Sequence, residues 1–318
     1  MIKIQFKTLN LHPVMIKLNI VNEVDKLKAV LVGIADDFGG TPNLEDCYDP
    51  KSRENVISGA YPTNDSCIQE IEMLISVFQK YDVKVFRPKN IYDLNQIFSR
   101  DILFVIDNLL IIPNIIEDRK KEIEGVDDIL SQIDINHKIK MPPNARVEGG
   151  DVMPCNDYIF VGYSENKDFE KYTVARTNRA GIEFLTQTFP HKKVKGFELN
   201  KSDENAKENA LHLDCCFQPI GKNMAIMYKQ GFKNIKDVDF LVSYFGAENI
   251  IEINSEEMYN MNSNIFSISE DVIISEKGFK RLNDNLRKRG FIVEEVSYSE
   301  IAKMGGLLRC STMPLLRE

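Results

Sequence analysis

Short apolar runs alternate with longer amphipathic segments along the chain, and their order repeats. The clearest unit lies near the C-terminal end, with strand-like runs at 264–269 and 271–276, a helical stretch at 278–289 and a third strand at 291–296. In the helical stretch, Phe279, Leu282 and Leu286 recur at the spacing of one helical face. The pattern predicts a β-β-α-β unit.

The same order of elements recurs upstream, and a variant opens the chain. The predicted strands and helices are 102–106, 109–112, helix 123–133 and 138–141; 151–154, 158–161, helix 179–189 and 193–199; 215–219, 224–228, helix 238–245 and 250–253; and, in the opening variant, 29–33, helix 68–81 and 83–87. Repeated units that leave one face unburied pack on their neighbours, and a few of them can close into a ring.

We therefore predict an α/β fold, a five-bladed α/β propeller of ββαβ units around a pseudo-fivefold axis. An ordinary α/β sheet is the alternative that the irregular repeat lengths leave open. Residues 19–318 are predicted to form a single catalytic domain. Residues 1–18 are predicted to be an N-terminal arm or, since Met-Ile-Lys recurs at Met15, to contain an alternative start.

Composition limits the classes of partner. The 318 residues, 43% of them hydrophobic and 28% charged, suffice for a full core, and the formal charge of −8 argues against nucleic acid as a partner. Six irregularly spaced cysteines do not form a disulfide framework, which favours the reducing cytoplasm. No apolar run approaches the roughly 20 residues of a membrane span. A small-molecule ligand and a possible homo-oligomer are the partners that we expect.

Polar residues collect just before the first strand of successive units. These segments are 99–101 with Asp101, 146–151 with Glu148 and Asp151, 212–214 with His212 and Asp214, 261–264 with Asn262, and the C-terminal 305–310 with Cys310. Equivalent positions in a ring of repeats lie around one axis, so these segments would bring a thiol, a histidine, carboxylates and amides together.

Each of these residues also has a simpler explanation. A lone cysteine is more often a small buried hydrophobic residue than a nucleophile. Cys310, however, follows Gly305-Gly306 and precedes the loop-like segment 311–314. His212 has the alternative of a core histidine, but with Asp214 two residues on, both side chains would point to the same side of an extended segment.

The remaining alternatives concern turns and metals. Asp101 could serve only as a helix cap or an ion-pair partner, and the two glycines between Glu148 and Asp151 could serve only a tight turn. A zinc site at His212, Cys215 and Cys216 has little support, because no second ligand pair stands at zinc spacing.

Taken in order, these segments resemble the guanidino-group-modifying enzymes, the superfamily of arginine deiminases, dimethylarginine hydrolases and amidinotransferases, whose fold is a five-bladed α/β propeller (pentein). The resemblance spans most of the chain. Its motifs are Arg100-Asp101 before an apolar strand, Glu148-Gly149-Gly150-Asp151, Arg176-Thr177-Asn178-Arg179, His212-Leu213-Asp214, and the ending from Gly305 through Cys310 to Arg317.

The resemblance implies a role for each matching position. Cys310 would be the nucleophile, His212 the general acid/base and Glu148 the residue that orients the imidazole. Asp101 and Asp214 would hold a guanidinium group and Arg176 a substrate carboxylate, with Asp151 and Asn262 as further substrate-binding residues. No metal or organic cofactor is implied.

The implied chemistry passes through a covalent thiouronium on Cys310. Attack by water would make the protein a C–N hydrolase, and attack by an amine would make it an amidinotransferase. The Cys-x-Thr-Met-Pro ending favours hydrolysis of arginine or a close analogue to citrulline and ammonia. The N-terminal segment and overall size favour the alternative, amidino transfer to an amine acceptor with release of ornithine. A binding module and a metal-dependent hydrolase are the competing classes.

Overall fold

Fifteen strands form five three-stranded sheets among residues 15–318, which the computed structural model describes. The strands are β1 (Leu27–Val32), β2 (Lys84–Phe86), β3 (Phe104–Ile106), β4 (Leu109–Ile112), β5 (Lys138–Lys140), β6 (Val152–Cys155), β7 (Tyr158–Tyr163), β8 (Lys193–Glu198), β9 (Phe217–Ile220), β10 (Met224–Met227), β11 (Ile250–Glu252), β12 (Phe266–Ser267), β13 (Val272–Glu276), β14 (Ile292–Val296) and β15 (Thr312–Arg317).

The helices lie mainly between the second and third strands of the units. The α-helices are α1 (Pro50–Ile57), α2 (Asn64–Lys80), α3 (Ser99–Ile102), α4 (Asp127–Ser131), α5 (Asn166–Lys171), α6 (Arg179–Thr188), α7 (Ile235–Phe245), α8 (Ser255–Tyr259), α9 (Lys280–Lys288) and α10 (Ser299–Ala302). Short 3-10 helices span Leu44–Asp46, Glu117–Val126, Ile135–His137, Gly149–Asp151, Ala206–Glu208, Leu213–Cys215, Lys229–Gly231 and Ala247–Asn249.

Side-chain caps explain where the longer helices begin. The Thr63 side chain accepts from the backbone of Ser66 at the start of α2, and Asn178 caps α6 in the same way. The amphipathic pattern of α2 places Ile71, Leu74 and Phe78 in the core.

Every sheet has the same internal arrangement, in which a central strand has one antiparallel and one parallel neighbour. The sheet orders are β3-β4-β5, β6-β7-β8, β9-β10-β11, β12-β13-β14 and β15-β1-β2. The ββαβ order predicted for four units is therefore confirmed, and the fold class is α/β with mixed sheets.

The fifth sheet differs from the sequence-based expectation. The segment 311–314 was expected to be loop-like, but Thr312–Arg317 forms β15 and pairs antiparallel with β1, from Val32–Thr312 to Leu27–Arg317. Pro314 is compatible with this because β15 is an edge strand of its sheet. The strand places Cys310, two residues before it, beside the opening unit of the chain.

Two other predictions change in detail. The helix predicted over 123–133 is a 3-10 helix, Glu117–Val126, followed by the short α4. Of the predicted arm 1–18, residues 1–14 lie outside the described residues. Ile16 and Leu18 are buried, and the Ile16 N–H donates to the Gln132 carbonyl at 2.8 Å.

Apolar side chains from all five sheets form the core. One aromatic group centres on Phe160, whose ring lies 5.5–6.4 Å from those of neighbours that include Phe197, Phe217 and Tyr244. None of the helices formed by residues 15–318 has the length and apolar character needed to span a bilayer.

Candidate active site

A cavity of about 120 Å³ has four of the sequence-predicted site residues in its wall. These are Asp101, Arg176, His212 and Cys310. Three of them lie in or beside a turn that leads into a strand: α3 precedes β3, the 3-10 helix Leu213–Cys215 precedes β9, and Cys310 precedes β15. Arg176 lies instead between α5 and α6. The starts of three units therefore contribute polar groups to one place.

Close backbone approach at Gly149 and Gly150 brings three of these segments together. A Cβ atom on Gly150 would lie 2.7 Å from His212 Nδ1 and 2.8 Å from Asp101 Oδ1. A Cβ atom on Gly149 would lie 2.0 Å from the Arg100 carbonyl oxygen. The two glycines therefore do more than form a turn. A larger residue at position 150 would push the imidazole away from Asp101, and one at position 149 would clash with the Arg100 backbone.

His212 is buried between two carboxylates. Its Nε2 lies 2.9 Å from Glu148 Oε2 and its Nδ1 lies 3.6 Å from Asp101 Oδ1. Burial alone would lower the pKa of the imidazole, but Asp101 and Glu148 outweigh burial and raise it to about 9. His212 is therefore protonated at neutral pH and can donate a proton.

Glu148 is held in its ionised form. Burial alone would raise its pKa, but Arg176 and His212 hold that pKa well below its usual range. Arg176 Nη1 lies 3.4 Å from both carboxylate oxygens, and Arg176 Nη2 donates to the Tyr48 carbonyl at 3.1 Å. Arg176 thus connects Glu148, the partner of the imidazole, to the loop that precedes α1.

Cys310 is buried, with 3% of its surface exposed, and contacts two other segments. Its Sγ lies 3.7 Å from Asp214 Oδ2 and 3.1 Å from Asn264 Nδ2. Burial and then the carboxylates of Asp214 and Asp101 raise the pKa of the thiol well above its usual range. No hydrogen bond joins Cys310 to His212 within residues 15–318, although both side chains face the same cavity.

Asp214 is fixed from behind by a buried arginine. Arg309 Nη1 donates to Asp214 Oδ2 at 2.9 Å, while its Nε and Nη2 donate to the two oxygens of Glu23 at 3.2 and 3.0 Å. Neither Asp214 nor Arg309 is exposed. The bidentate ion pair with Glu23 holds Arg309 in place, and the single hydrogen bond from Nη1 orients the Asp214 carboxylate beside the thiol.

Arg119 is a second cation in the cavity wall. Its guanidinium donates to Asp101 Oδ2 at 2.7 Å, to both oxygens of Glu122 at 2.7 and 2.9 Å, and to the Phe98 carbonyl at 2.8 Å. The Gly150 N–H donates to the other oxygen of Asp101 at 3.1 Å. Asp101 is therefore held between an arginine, a backbone amide and the imidazole.

Three predicted substrate-binding residues, Asp151, Asp214 and Asn262, do not line this cavity, although Asp214 contacts Cys310 Sγ at 3.7 Å. Asp151 is fully buried and its Oδ1 accepts from the Leu213 N–H at 2.9 Å, so it supports the turn that carries His212. Asn262 lines a different cavity, beside Lys51 and Tyr259. Within its segment it is Asn264 that reaches Cys310, because the intervening turn directs the two amides to different places.

The local geometry around His212 also differs from the prediction. His212 is extended, but Leu213–Cys215 is a 3-10 helix, so His212 and Asp214 do not project from one side of a strand. His212 contacts Glu148, whereas Asp214 contacts Arg309 and Cys310. The two side chains therefore act on different parts of the same site.

Sequence reasoning missed several groups around the cavity. They are Glu23, Arg119, Glu122, Asn264 and Arg309. Arg309 adjoins Cys310 in sequence and was a detectable candidate. Arg119 and Glu122 lie in a segment with weak periodicity, and only the fold brings them to Asp101.

The carboxylates and the imidazole favour an ion-pair network over a metal site. One atom from each of Asp101, Glu148 and His212 lies within 4.8 Å of the others. Arg119 and Arg176 already neutralise the two carboxylates, and the imidazole holds a proton at neutral pH. A divalent cation there would face three positive charges.

Comparison with known proteins places the fold and its site in context. The family model described as N,N dimethylarginine dimethylhydrolase, eukaryotic, matches residues 52–317. The uncharacterised Bacillus subtilis protein YkgA is 31% identical over 223 residues, 70% of this chain and 70% of that protein. An arginine deiminase from Listeria welshimeri is 28% identical over 207 residues, 54% of this chain but 47% of that protein. The match thus spans about half the length of the deiminase.

A solved structure extends the likeness to nearly the whole chain. SxtG, an amidinotransferase from Microseira wollei, superposes with a TM-score of 0.75 at 20% sequence identity, covering 95% of this chain and 97% of SxtG. At this identity the likeness concerns the fold. The family model, by contrast, covers most of the chain by sequence. The chain belongs to the dimethylarginine dimethylhydrolase family, within the superfamily of guanidino-group-modifying enzymes.

Proposed function

We propose that the protein is a cysteine-dependent hydrolase that acts on the guanidino group of L-arginine or a close analogue and releases citrulline and an amine or ammonia. One observation carries the proposal. The buried Cys310 Sγ lies 3.7 Å from Asp214, and Cys310 lines a cavity whose wall also contains Asp101 and a protonated His212. A nucleophile, a proton donor and one carboxylate thus line one space, and a second carboxylate contacts the nucleophile.

The charges around the cavity suit a cationic group with an anionic tail. Asp101 and Asp214 flank the sulfur and would hold the N–H groups of a planar guanidinium by hydrogen bonds. Arg176 lines the same cavity and is linked to Glu148 and the Tyr48 carbonyl by long contacts of 3.1–3.4 Å. We propose that Arg176 binds a substrate carboxylate; Arg119 lines the same wall.

The first half of the reaction forms a carbon–sulfur bond. The Cys310 thiolate attacks the guanidinium carbon, and the protonated His212 gives its proton to the departing nitrogen as the carbon–nitrogen bond breaks. Ammonia, or a methylamine from a methylated substrate, leaves. A positively charged thiouronium remains on Cys310.

The second half reverses the roles of the same residues. His212, now neutral, removes a proton from water, and the resulting hydroxide attacks the thiouronium carbon. The carbon–sulfur bond then breaks as the hydroxyl group of the adduct gives its proton to solvent, so that citrulline is released and the thiolate returns. Glu148 stabilises the imidazolium in both halves through the 2.9 Å contact with Nε2.

The resting thiol gains its charge when substrate binds. In the empty cavity, burial and two carboxylates disfavour the thiolate. A bound guanidinium places a positive charge beside the sulfur and offsets those carboxylates, so the thiolate is favoured only in the complex. This limits reaction of Cys310 with other electrophiles.

The architecture and location belong to the same proposal. We propose that the five sheets are the blades of a propeller, that residues 19–318 form one domain, and that the site lies on the propeller's axis. All six cysteines are unpaired, which supports a reducing compartment such as the cytoplasm.

Product analysis tests the function. The protein is incubated separately with L-arginine, N,N-dimethylarginine and agmatine, and citrulline, ammonia, methylamines and ornithine are measured. We expect citrulline from arginine or its dimethyl derivative, and none from Cys310→Ala, whose folding is checked by circular dichroism. Ornithine formed only when an amine acceptor is present would instead establish amidino transfer. Normal turnover by Cys310→Ala would refute the covalent route.

A further inference from the structure

Asn264 lies two residues before β12 and joins the segment that carries Cys310 through three hydrogen bonds. Its Nδ2 donates to Cys310 Sγ at 3.1 Å, its Oδ1 accepts from the Cys310 N–H at 3.1 Å, and its carbonyl accepts from the Arg309 N–H at 3.2 Å. The Asn264 side chain is fully buried. One amide therefore holds both the backbone and the sulfur of the same cysteine.

The two side-chain contacts act as a clamp. Together they close a ring that runs from the Cys310 nitrogen through its Cα, Cβ and Sγ to the Asn264 amide and back. Rotation about the Cys310 Cα–Cβ bond would break the contact to sulfur while leaving the contact to the backbone. The amide therefore selects one side-chain rotamer of Cys310.

The groups that face the sulfur are mainly acidic or neutral. Asp214 lies at 3.7 Å, Asp101 and Cys215 are close enough to disfavour a negative charge on Cys310, and His212 shares the cavity while donating to Glu148. Arg309 is directed to Asp214 and Glu23. Within residues 15–318, Asn264 Nδ2 is the side-chain donor that reaches Sγ, and the Leu307 backbone also favours a negative charge there.

We propose that Asn264 is the positioning residue of the nucleophile: its Nδ2 stabilises the Cys310 thiolate, and its Oδ1 fixes the rotamer that aims the sulfur into the cavity. The inference deepens the proposed function and rests on it for its catalytic consequence alone. The effect on the reactivity of Cys310 follows from the contacts themselves.

The contribution of this amide changes along the reaction. A hydrogen bond to a thiolate is charge-assisted and stronger than one to a neutral thiol. The bond therefore strengthens when Cys310 loses its proton and weakens once the sulfur is bonded to carbon. The amide thus favours the attacking state and the return of the thiolate as leaving group.

Two substitutions separate the functions of the clamp. Asn264→Asp keeps an oxygen that can accept from the Cys310 N–H but removes the donor to sulfur and adds a negative charge. Asn264→Ala removes both contacts. Asn283→Ala is the control, because Asn283 is an equally buried amide that bonds Ser275 and the Glu276 carbonyl away from the site.

The main measurement is the rate at which iodoacetamide alkylates Cys310 in the folded, substrate-free protein, followed at that residue by mass spectrometry between pH 7 and 10. Loss of a hydrogen bond to a charged group corresponds to about a 10- to 100-fold smaller thiolate fraction. We expect alkylation to slow by about that factor in Asn264→Ala and by more in Asn264→Asp. The Asn283→Ala control should lose stability without a change in alkylation at Cys310.

Steady-state kinetics give an independent readout where the protein turns over a guanidino substrate. We expect kcat to fall by about 10- to 100-fold with KM changed by less than about threefold, because the amide contacts the nucleophile and not the substrate. Alkylation unchanged in both folded Asn264 variants would overturn the proposal. Alkylation that slows in a protein without guanidino turnover would retain the positioning role and refute the proposed function alone.

Discussion

The contact between His212 and Glu148 determines at which pH the proposed proton donor is lost. His212 has a pKa raised from 6.5 to about 9, and it contacts Glu148 at 2.9 Å. Glu148→Gln keeps the size of the side chain but removes its negative charge. A hydrogen bond to a charged group contributes about 1.5–3 kcal/mol, which corresponds to about 1 to 2 pH units. We therefore expect the pKa of His212 to fall to between about 7 and 8 in this variant.

The sign of the effect follows from proton linkage. Because folding raises the pKa of His212, its protonated form stabilises the folded state fully below about pH 6.5, and this contribution is lost as the pH rises through about 9. The alkaline limit of kcat, which requires the protonated imidazole, should lie near the same value in the wild type. In Glu148→Gln both limits should move to lower pH.

Two measurements check this prediction. Activity against pH gives the alkaline limit, and urea unfolding at pH 6, 7.5 and 9 gives the pH dependence of the free energy of unfolding. Glu122→Gln is the matched control, since it also removes a buried carboxylate beside an arginine, Arg119, but Glu122 has no hydrogen bond to His212 within the described residues. The reasoning is refuted if the alkaline limit stays in place in Glu148→Gln or moves equally in both variants.

Two further substitutions test the packing behind the site. Arg309→Met should lower the free energy of unfolding by about 3–5 kcal/mol in urea denaturation, because Asp214 and Glu23 both lose a buried ion-pair partner and Glu23 keeps the 3.8 Å contact to Arg100. A Glu23→Gln, Arg309→Met double variant should recover part of that loss. A smaller loss than about 1 kcal/mol would show that the ion pair contributes little. Gly150→Ala should abolish turnover while the protein stays folded, because its Cβ would lie 2.7 Å from His212 Nδ1; wild-type kcat would contradict the close approach.

Much of the strand order was accessible from the sequence because it depends on local pattern. Strands β7, β10, β13 and β14 begin within about one or two residues of the predicted positions, since apolar runs bounded by turns identify buried strands. The strand β15 was missed because Pro314 and the residues around Cys310 look like a loop in isolation. Only its pairing with β1, almost the full length of the chain away, makes it a strand.

For the site, too, some features were accessible from the sequence and others only from the structure. Cys310, His212, Glu148, Asp101, Asp214 and Arg176 were identified from the sequence because each stands in a short motif at the start of a unit or matches a known family. Asn262 was predicted to bind substrate, whereas in the same segment it is Asn264 that contacts Cys310, because the direction of a side chain in an irregular turn depends on the turn and not on residue type. The sequence did not predict which side chains contact these residues.

The sequence by itself determined the repeated units and pointed to the residues that we propose for the chemistry, since these follow from local periodicity, residue type and family motifs. The tertiary structure alone decided which groups meet. It placed Arg309 behind Asp214, Arg119 on Asp101 and Asn264 on Cys310, from segments far apart in the chain. Contacts of this kind set the protonation of His212 and Cys310, because the pKa of a buried group depends on the charges around it and not on its neighbours in sequence.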